Sequence, residues 1–180
     1  NISPENIKGL DDLPKLPFTT KDDLRESQME FGGLGGHQCA PIERIVRIQG
    51  TSGTTGRPLY IGLTARDADN WKELFARHAW TGGLRPGDSF INPANFTLFV
   101  GGLSESVSAE AMGVCVIPAP LGSTGVEKLM EIVQEFRPTV LFSTPSAAAF
   151  LAEVVRGSLK KDPRDMGFKK GFLAGEALAE

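Results

Sequence analysis

"GTSGTTGRP", Gly50 to Pro58, holds three glycines, three threonines and a serine, with Arg57 as its single charge. Such a segment can neither pack a core nor hold a regular helix, because its side chains are short and polar and its glycines leave the backbone free to turn. On both sides the sequence becomes apolar: "RIVRIQG" precedes it and "LYIGLT" follows, so the stretch reads as strand, loop, strand. Amides freed by glycine can turn inward together as an anion nest. Thr51, Ser52, Thr54 and Thr55 add hydroxyls, Gly53 and Gly56 keep side chains out of the way, and the Arg57 guanidinium can fork onto phosphate oxygens. The sum is a cradle for a polyphosphate. It is not a Walker A loop, which needs Gly-x4-Gly-Lys-Ser/Thr running into a helix; here Arg57 is followed by Pro58 and a strand. A plain hairpin turn is the competing reading, but neither Asn-Gly nor Asp-Gly occurs.

Outward from the loop, strands and helices alternate. Upstream, Thr20 and Asp23 form a capping-box opening for a short helix to about Gln28, followed by the glycine-rich "FGGLGGHQC". Downstream, Thr64 and Asp67 open a helix with Trp71, Leu74, Phe75, His78 and Ala79 on one face. "SFINP" is then a strand, Gly102 to Met112 a helix of small residues, and "VCVIP" a strand. Thr124 and Glu127 are read as the cap of a helix carrying Val126, Leu129, Met130, Val133 and Phe136, which Pro138 ends. "TVLFS" is a strand, Thr144-Pro145 starts a helix that Gly157 closes, and "KKGFLAG" is the last strand. This order predicts right-handed βαβ units: an α/β fold with a mainly parallel sheet flanked by helices on both faces. Ile48, Val116, Ile117, Val140, Leu141 and Phe142 are expected in its core. Ligands gather at the carboxyl ends of such strands, so the loops after Gly50, Pro93, Pro118, Ser143 and Gly175 are expected on one rim.

Bulk properties exclude several classes. The formal net charge of −3 and the lack of any Lys/Arg run argue against nucleic-acid binding. No apolar run approaches the ~18 residues of a membrane span. Two distant cysteines, Cys39 and Cys115, fit a reducing, cytoplasmic compartment better than a disulfide framework. The chain starts without Met and stops at "GFLAGEALAE", a strand entering a loop, which suggests a fragment.

"TSGTTGRP" resembles the phosphate loop of the adenylate-forming superfamily. Six further stretches resemble, in order, its phenylacetate-CoA ligase and coenzyme F390 synthetase-like branch: "LPFTTKDDLRE", "WKELFARHAWTGGLRPGD", "LFVGG", "AEAMGVCVIP", "EFRPTVLFSTPS" and "AGEAL". The resemblance implies that residues 1–180 are part of the large N-terminal AMP-binding domain, with 1–43 a leading helical and loop segment and 44–180 an α/β nucleotide-binding region. It implies that Thr51 to Arg57 embrace the ATP phosphates, with Arg57 where relatives usually have Lys, and that Gly175, Glu176 and Ala177 line the adenine site. The implied reaction joins a carboxylate to ATP, with Mg2+, as an acyl-adenylate and passes the acyl group to coenzyme A. AMP transfer to a phenol-like cofactor and a non-catalytic nucleotide-binding module are the alternatives. The acyl pocket is implied at Ala94, Phe96, Phe99, Gly101 and Ala147. Ala94 and Phe96 replace two tyrosines, Ser106 and Val107 replace a His-Tyr pair, and Ala147 replaces an aromatic residue, so the usual aryl-acetate substrate does not carry over directly. The superfamily's acidic magnesium motif and its lysine-bearing C-terminal domain have no counterpart within the chain, so no catalytic residue is assigned and the 180 residues alone are expected not to adenylate.

Some residues attract other readings. His37 and Cys39 have metal-pair spacing but lack the further ligands a zinc site needs. His78 and Cys115 read as a core histidine and a buried thiol, and Trp71, Phe75, Leu129 and Phe136 as core. No nucleophile elbow surrounds Ser52. The sheet edge near Phe172 and Leu173 is expected to promote self-association.

Overall fold

The computed structural model describes residues 2–51 and 57–178. Short 3-10 turns at Pro4–Asn6 and Leu10–Lys15 lead into helix α1, Lys21–Phe31. Its capping box forms as read: the Thr20 hydroxyl accepts from the Asp23 N–H, and the Asp23 carboxylate accepts from the Thr20 N–H. Strands β1 (Ile45–Gly50) and β2 (Tyr60–Thr64) pair antiparallel, with Gly50 opposite Tyr60. The same capping-box chemistry at Thr64 and Asp67 starts α2, Ala65–Thr81.

The remaining elements build the α/β layer. In chain order they are β3 (Ser89–Asn92), α3 (Val100–Ala111), β4 (Cys115–Pro118), α4 (Leu121–Thr124), α5 (Val126–Phe136), β5 (Val140–Ser143), α6 (Pro145–Gly157) and β6 (Lys170–Leu173). The sheet order is β4-β3-β5-β6, and every pairing is parallel. Strand pleating sends Phe90 and Val140 to one face, where they join Phe75 and Ala79 of α2 and Ala109 of α3. Ile91 turns to the other face and packs with Leu129, Met130 and Val133 of α5 and Leu151 and Val155 of α6. Helices thus cover both faces, as the alternation requires.

Several expectations need correction. The β1–β2 hairpin forms a sheet of its own, so the glycine loop does not continue a parallel strand. Ile48 consequently lies 43% exposed rather than in the core. Val140 is fully buried, whereas Val116, Ile117, Leu141 and Phe142 are only partly so. β4 is an edge strand and Cys115 is exposed, not buried. Thr124 closes the short α4, and Gly125 rather than Thr124 stands at the N-cap of α5. Leu74, His78 and Phe136 are exposed, the outer margin of apolar stripes whose centres are Phe75, Ala79, Leu129 and Val133. Gly157 is the last residue of α6, and Ser158 occupies its C-cap.

Candidate active site

The loops leaving the four parallel strands meet around a cavity of about 550 Å3. Pro93 and Ala94 follow β3, Leu121 follows β4, Ser143 ends β5 and Thr144 follows it, and Ala174 and Gly175 follow β6. Backbone bonds fix these loops to each other: Ala119 N–H donates to Asn92 O, Leu121 N–H to Pro93 O, and Ala174 N–H to Ser143 O. Phe99, Val100, Gly101 and Glu105 of α3 and its approach close one side, and Phe142 and Ala147 another.

Asn92 organises this rim. It is fully buried, and its amide nitrogen donates to Gly101 O (2.9 Å), Gly102 O (3.1 Å) and Ser106 Oγ (3.0 Å), while its amide oxygen accepts from Ala94 N–H (3.0 Å). α3 can approach so closely because its inner residues are small. A Cβ on Gly102 would lie 2.3 Å from Asn95 O.

The glycine-loop hairpin sits against this rim. Gly50 N–H donates to Leu98 O (2.8 Å), and Phe99 is the next residue. Arg47 donates to Ser104 Oγ of α3, which itself donates to Gln49 Oε1. On the far side, the buried Gln28 side chain donates to Tyr60 O and accepts from Tyr60 N–H, pinning β2 to α1. At the loop's base Thr51 N–H donates to Leu59 O, and the Thr51 hydroxyl accepts from Leu59 N–H. Thr51 therefore shapes the base of the loop. Arg57 is exposed, and no described residue pairs with it. Ser52, Gly53, Thr54, Thr55 and Gly56 lie outside the described residues.

At the opposite edge Thr144 caps α6 by accepting from Ala147 N–H, and the Glu176 carboxylate accepts from Ser146 N–H. The Ser146 hydrogen bonds hold the Glu176 carboxyl below its ordinary value. Gly175 has φ +92°, and a Cβ there would press on Thr144 Cγ2 at 3.3 Å, so glycine suits this corner. Ala177 is exposed beside it.

Ala94, Phe99, Gly101, Ala147 and Gly175 are thus brought to one cavity, whereas Phe96 is 41% exposed and outside its lining. Ser106 is buried and spends its hydroxyl on Asn92, so it supports the rim from behind. Two lining groups were not legible in advance. Burial pushes the Glu105 carboxyl up to about 7. Ser143 Oγ is buried without a hydrogen-bond partner. A lone charge in the small-residue run "GGLSESVSA" was the available signal for Glu105. His37 Nδ1 meets Ser27 Oγ at 3.1 Å, and among the described residues no three His, Cys, Asp or Glu side chains gather as a metal site.

A family model for AMP-binding enzymes matches residues 7–180. The chain belongs to the AMP-binding enzyme family. Within it, the chain is 37% identical over 179 residues to a phenylacetate-coenzyme A ligase of Thermus thermophilus, covering 99% of this chain and 38% of that protein. It is 35% identical over 175 residues to the phenylacetate-coenzyme A ligase of Escherichia coli, covering 97% and 38%. A 2-hydroxyisobutyryl-CoA ligase, solved in an open conformation with 2-HIB-AMP and CoA, superposes with a TM-score of 0.88 at 34% identity, covering 98% of this AMP-binding chain and 40% of that one. The chain spans about 38% of the length of the curated relatives it matches. No helix among the described residues is long and apolar enough to cross a membrane.

Proposed function

We propose that the protein activates a carboxylic acid, of aromatic or comparable size, with ATP and transfers the acyl group to coenzyme A. A carboxylate oxygen bonds to the α-phosphorus of ATP as the bond to the bridging oxygen breaks, and pyrophosphate leaves. The coenzyme A thiolate then bonds to the acyl carbon, and AMP departs with the bonding electrons. In this reading the loop from Thr51 to Arg57, with Ser52, Gly53, Thr54, Thr55 and Gly56, holds the phosphates, and Arg57 supplies the charge. Gly175, Glu176 and Ala177 border the adenine, and Ala94, Phe99, Gly101 and Ala147 enclose the acyl tail. Magnesium would offset the phosphate charge when bound.

One observation carries the proposal. Gly50 N–H bonds to Leu98 O, one residue before Phe99, so the base of the glycine loop and the wall of the apolar cavity are a single hydrogen-bonded unit. A polyphosphate cradle next to a largely apolar cavity suits the joining of ATP to a greasy acid. Similarity to ligases named for phenylacetate and 2-hydroxyisobutyrate supports the same reaction class. A cytoplasmic location belongs to the reading, because ATP and coenzyme A are the co-substrates.

ATP–pyrophosphate exchange by the intact gene product, driven by a panel of carboxylic acids, tests it. Exchange that depends on the acid, followed by thioester formation with coenzyme A, is the expected result. Arg57→Ala should weaken ATP binding roughly tenfold or more, less so at high salt, and Arg57→Lys should keep much of the affinity. Wild-type ATP affinity in Arg57→Ala, or exchange with no acid, would refute the proposal.

A further inference from the structure

Two side chains of β1 reach across to α3. Strand alternation sends Arg47 and Gln49 to the same side of the hairpin, while Val46 and Ile48 stay exposed. Both meet one hydroxyl. Arg47 Nη1 donates to Ser104 Oγ (3.1 Å), and Ser104 Oγ donates to Gln49 Oε1 (3.0 Å). Ser104 is fully buried and Gln49 is 5% exposed. The partners lie 57 and 55 positions apart in the chain, so these bonds join separate parts of the fold. Among the described residues the β1–β2 hairpin shares no ladder with the parallel sheet. Its hydrogen bonds there to anything beyond the cap of α2 are these two and the bond from Gly50 N–H to Leu98 O. All three end on α3 or its approach.

The position of Ser104 links the two halves of the site. Gln49 is the second residue before Thr51, where the glycine loop leaves β1. On α3, Ser104 follows Gly101 by three positions and directly precedes Glu105, and both of those line the 550 Å3 cavity. The helix is held firmly here: Gly101 O and Gly102 O accept from the Asn92 amide, and Ser104 O accepts from Ser108 Oγ (2.6 Å). Resting on the nucleotide reading of the glycine loop, we propose that Ser104 is a positioning residue that ties the hold on the ATP phosphates to the placement of the acyl-cavity wall. Fully buried and outside the cavity lining, it touches neither substrate. Its hydroxyl has a proton to give and lone pairs to accept with, so it serves Gln49 and Arg47 at once. Alanine in its place keeps nearly the same volume and loses both bonds. Binding that fixes β1 then also fixes α3, and by linkage a filled cavity strengthens the hold on ATP.

Hydrogen–deuterium exchange of the intact gene product, with and without saturating ATP and Mg2+ and with no acid present, reads this link, and thermal unfolding is followed in parallel. In the wild type, ATP should slow exchange in segment 50–57 and also in residues 104–111, the latter by about fivefold or more, an ordinary size for coupling between sites. Ser104→Ala should keep the slowing in 50–57 and reduce that in 104–111 to about twofold or less. Gln49→Leu should do the same, and it carries the comparison if Ser104→Ala fails to fold. Gln49→Glu, which keeps an acceptor for the Ser104 hydroxyl, should retain the slowing in both segments. A serine that only stabilised the fold would lower Tm and speed exchange with and without ATP alike, leaving the ATP effect on 104–111 unchanged. That result, or a wild type in which ATP slows 50–57 but not 104–111, would overturn the inference and leave the nucleotide reading standing. Loss of the slowing in 50–57 in folded Ser104→Ala would also overturn it, by making the serine part of the loop's own support. No ATP effect on 50–57 in the wild type would overturn the inference and the nucleotide reading together.

Discussion

Asn92 holds the turn after β3 and the start of α3 with one side-chain amide, so its replacement has a local address. In Asn92→Leu the Ala94 N–H loses its acceptor and Ser106 its donor inside a dry rim, which should cost about 1–3 kcal/mol. Urea denaturation with an unchanged m-value checks this, and an Asn92→Leu protein as stable as wild type would mean that water replaces the amide. The residue was not readable from sequence, because its partners Gly101, Gly102 and Ser106 lie nine, ten and fourteen positions on, beyond any local pattern. By contrast, Thr20 with Asp23 and Thr64 with Asp67 act at a spacing of three, and both capping boxes were legible. Gln28 shows the same limit as Asn92: its partner Tyr60 is 32 residues away. The glycine loop stood out through composition alone, and so did the residues assigned to the phosphates.

At the scale of elements, three strands are joined at their amino ends through Asp88. Its carboxylate accepts from Lys170 Nζ (2.6 Å) at the start of β6, from the Thr139 hydroxyl (2.9 Å) before β5, and from Arg85 N–H (2.8 Å) in its own turn. Burial pushes this carboxyl up, but the bonds from Lys170, Arg85 and Thr139 more than offset it and leave it below its ordinary value of 3.8. A lowered folded value means that the contribution is complete above the unfolded value and disappears as pH falls through the folded one. Asp88→Asn should therefore lower stability by about 1–3 kcal/mol at neutral pH and lose its disadvantage as pH drops below 3.8. Chemical denaturation between pH 2.5 and 7 (roughly the span over which a carboxylate titrates) measures both. A deficit that persisted undiminished in acid would assign the effect to packing rather than charge. Strand and helix identities were legible here because each element carries its own period. Which sheet a strand joins was not: Ile48 alternates like a core strand but belongs to a two-stranded hairpin, where Val46, two residues before it, is exposed as well.

For the molecule as a whole, the parallel four-stranded layer with helices on both faces is what alternating elements predict, and its carboxyl rim collects the cavity. Among the described residues β6 pairs only with β5, and Leu173 on it is 42% exposed. An open parallel edge with an apolar side chain invites pairing with a second copy, so the 180-residue chain should show concentration-dependent dimers by sedimentation, and Leu173→Lys should suppress them. A monomer at all concentrations would count against this. The sheet order also has a consequence in time. The central strand β3 is complete at Asn92, yet its neighbours are contributed by Cys115–Pro118 and by Val140 and Leu141. The β1–β2 hairpin closes on residues already made, whereas Phe90 and Ile91 must wait for nearly fifty more. At about 5–20 residues per second on the ribosome, that leaves the most deeply buried pair of the sheet without its β5 neighbour for roughly 2–10 s. During synthesis it is the centre of the fold, and not its surface hairpin, that most needs shelter from other chains.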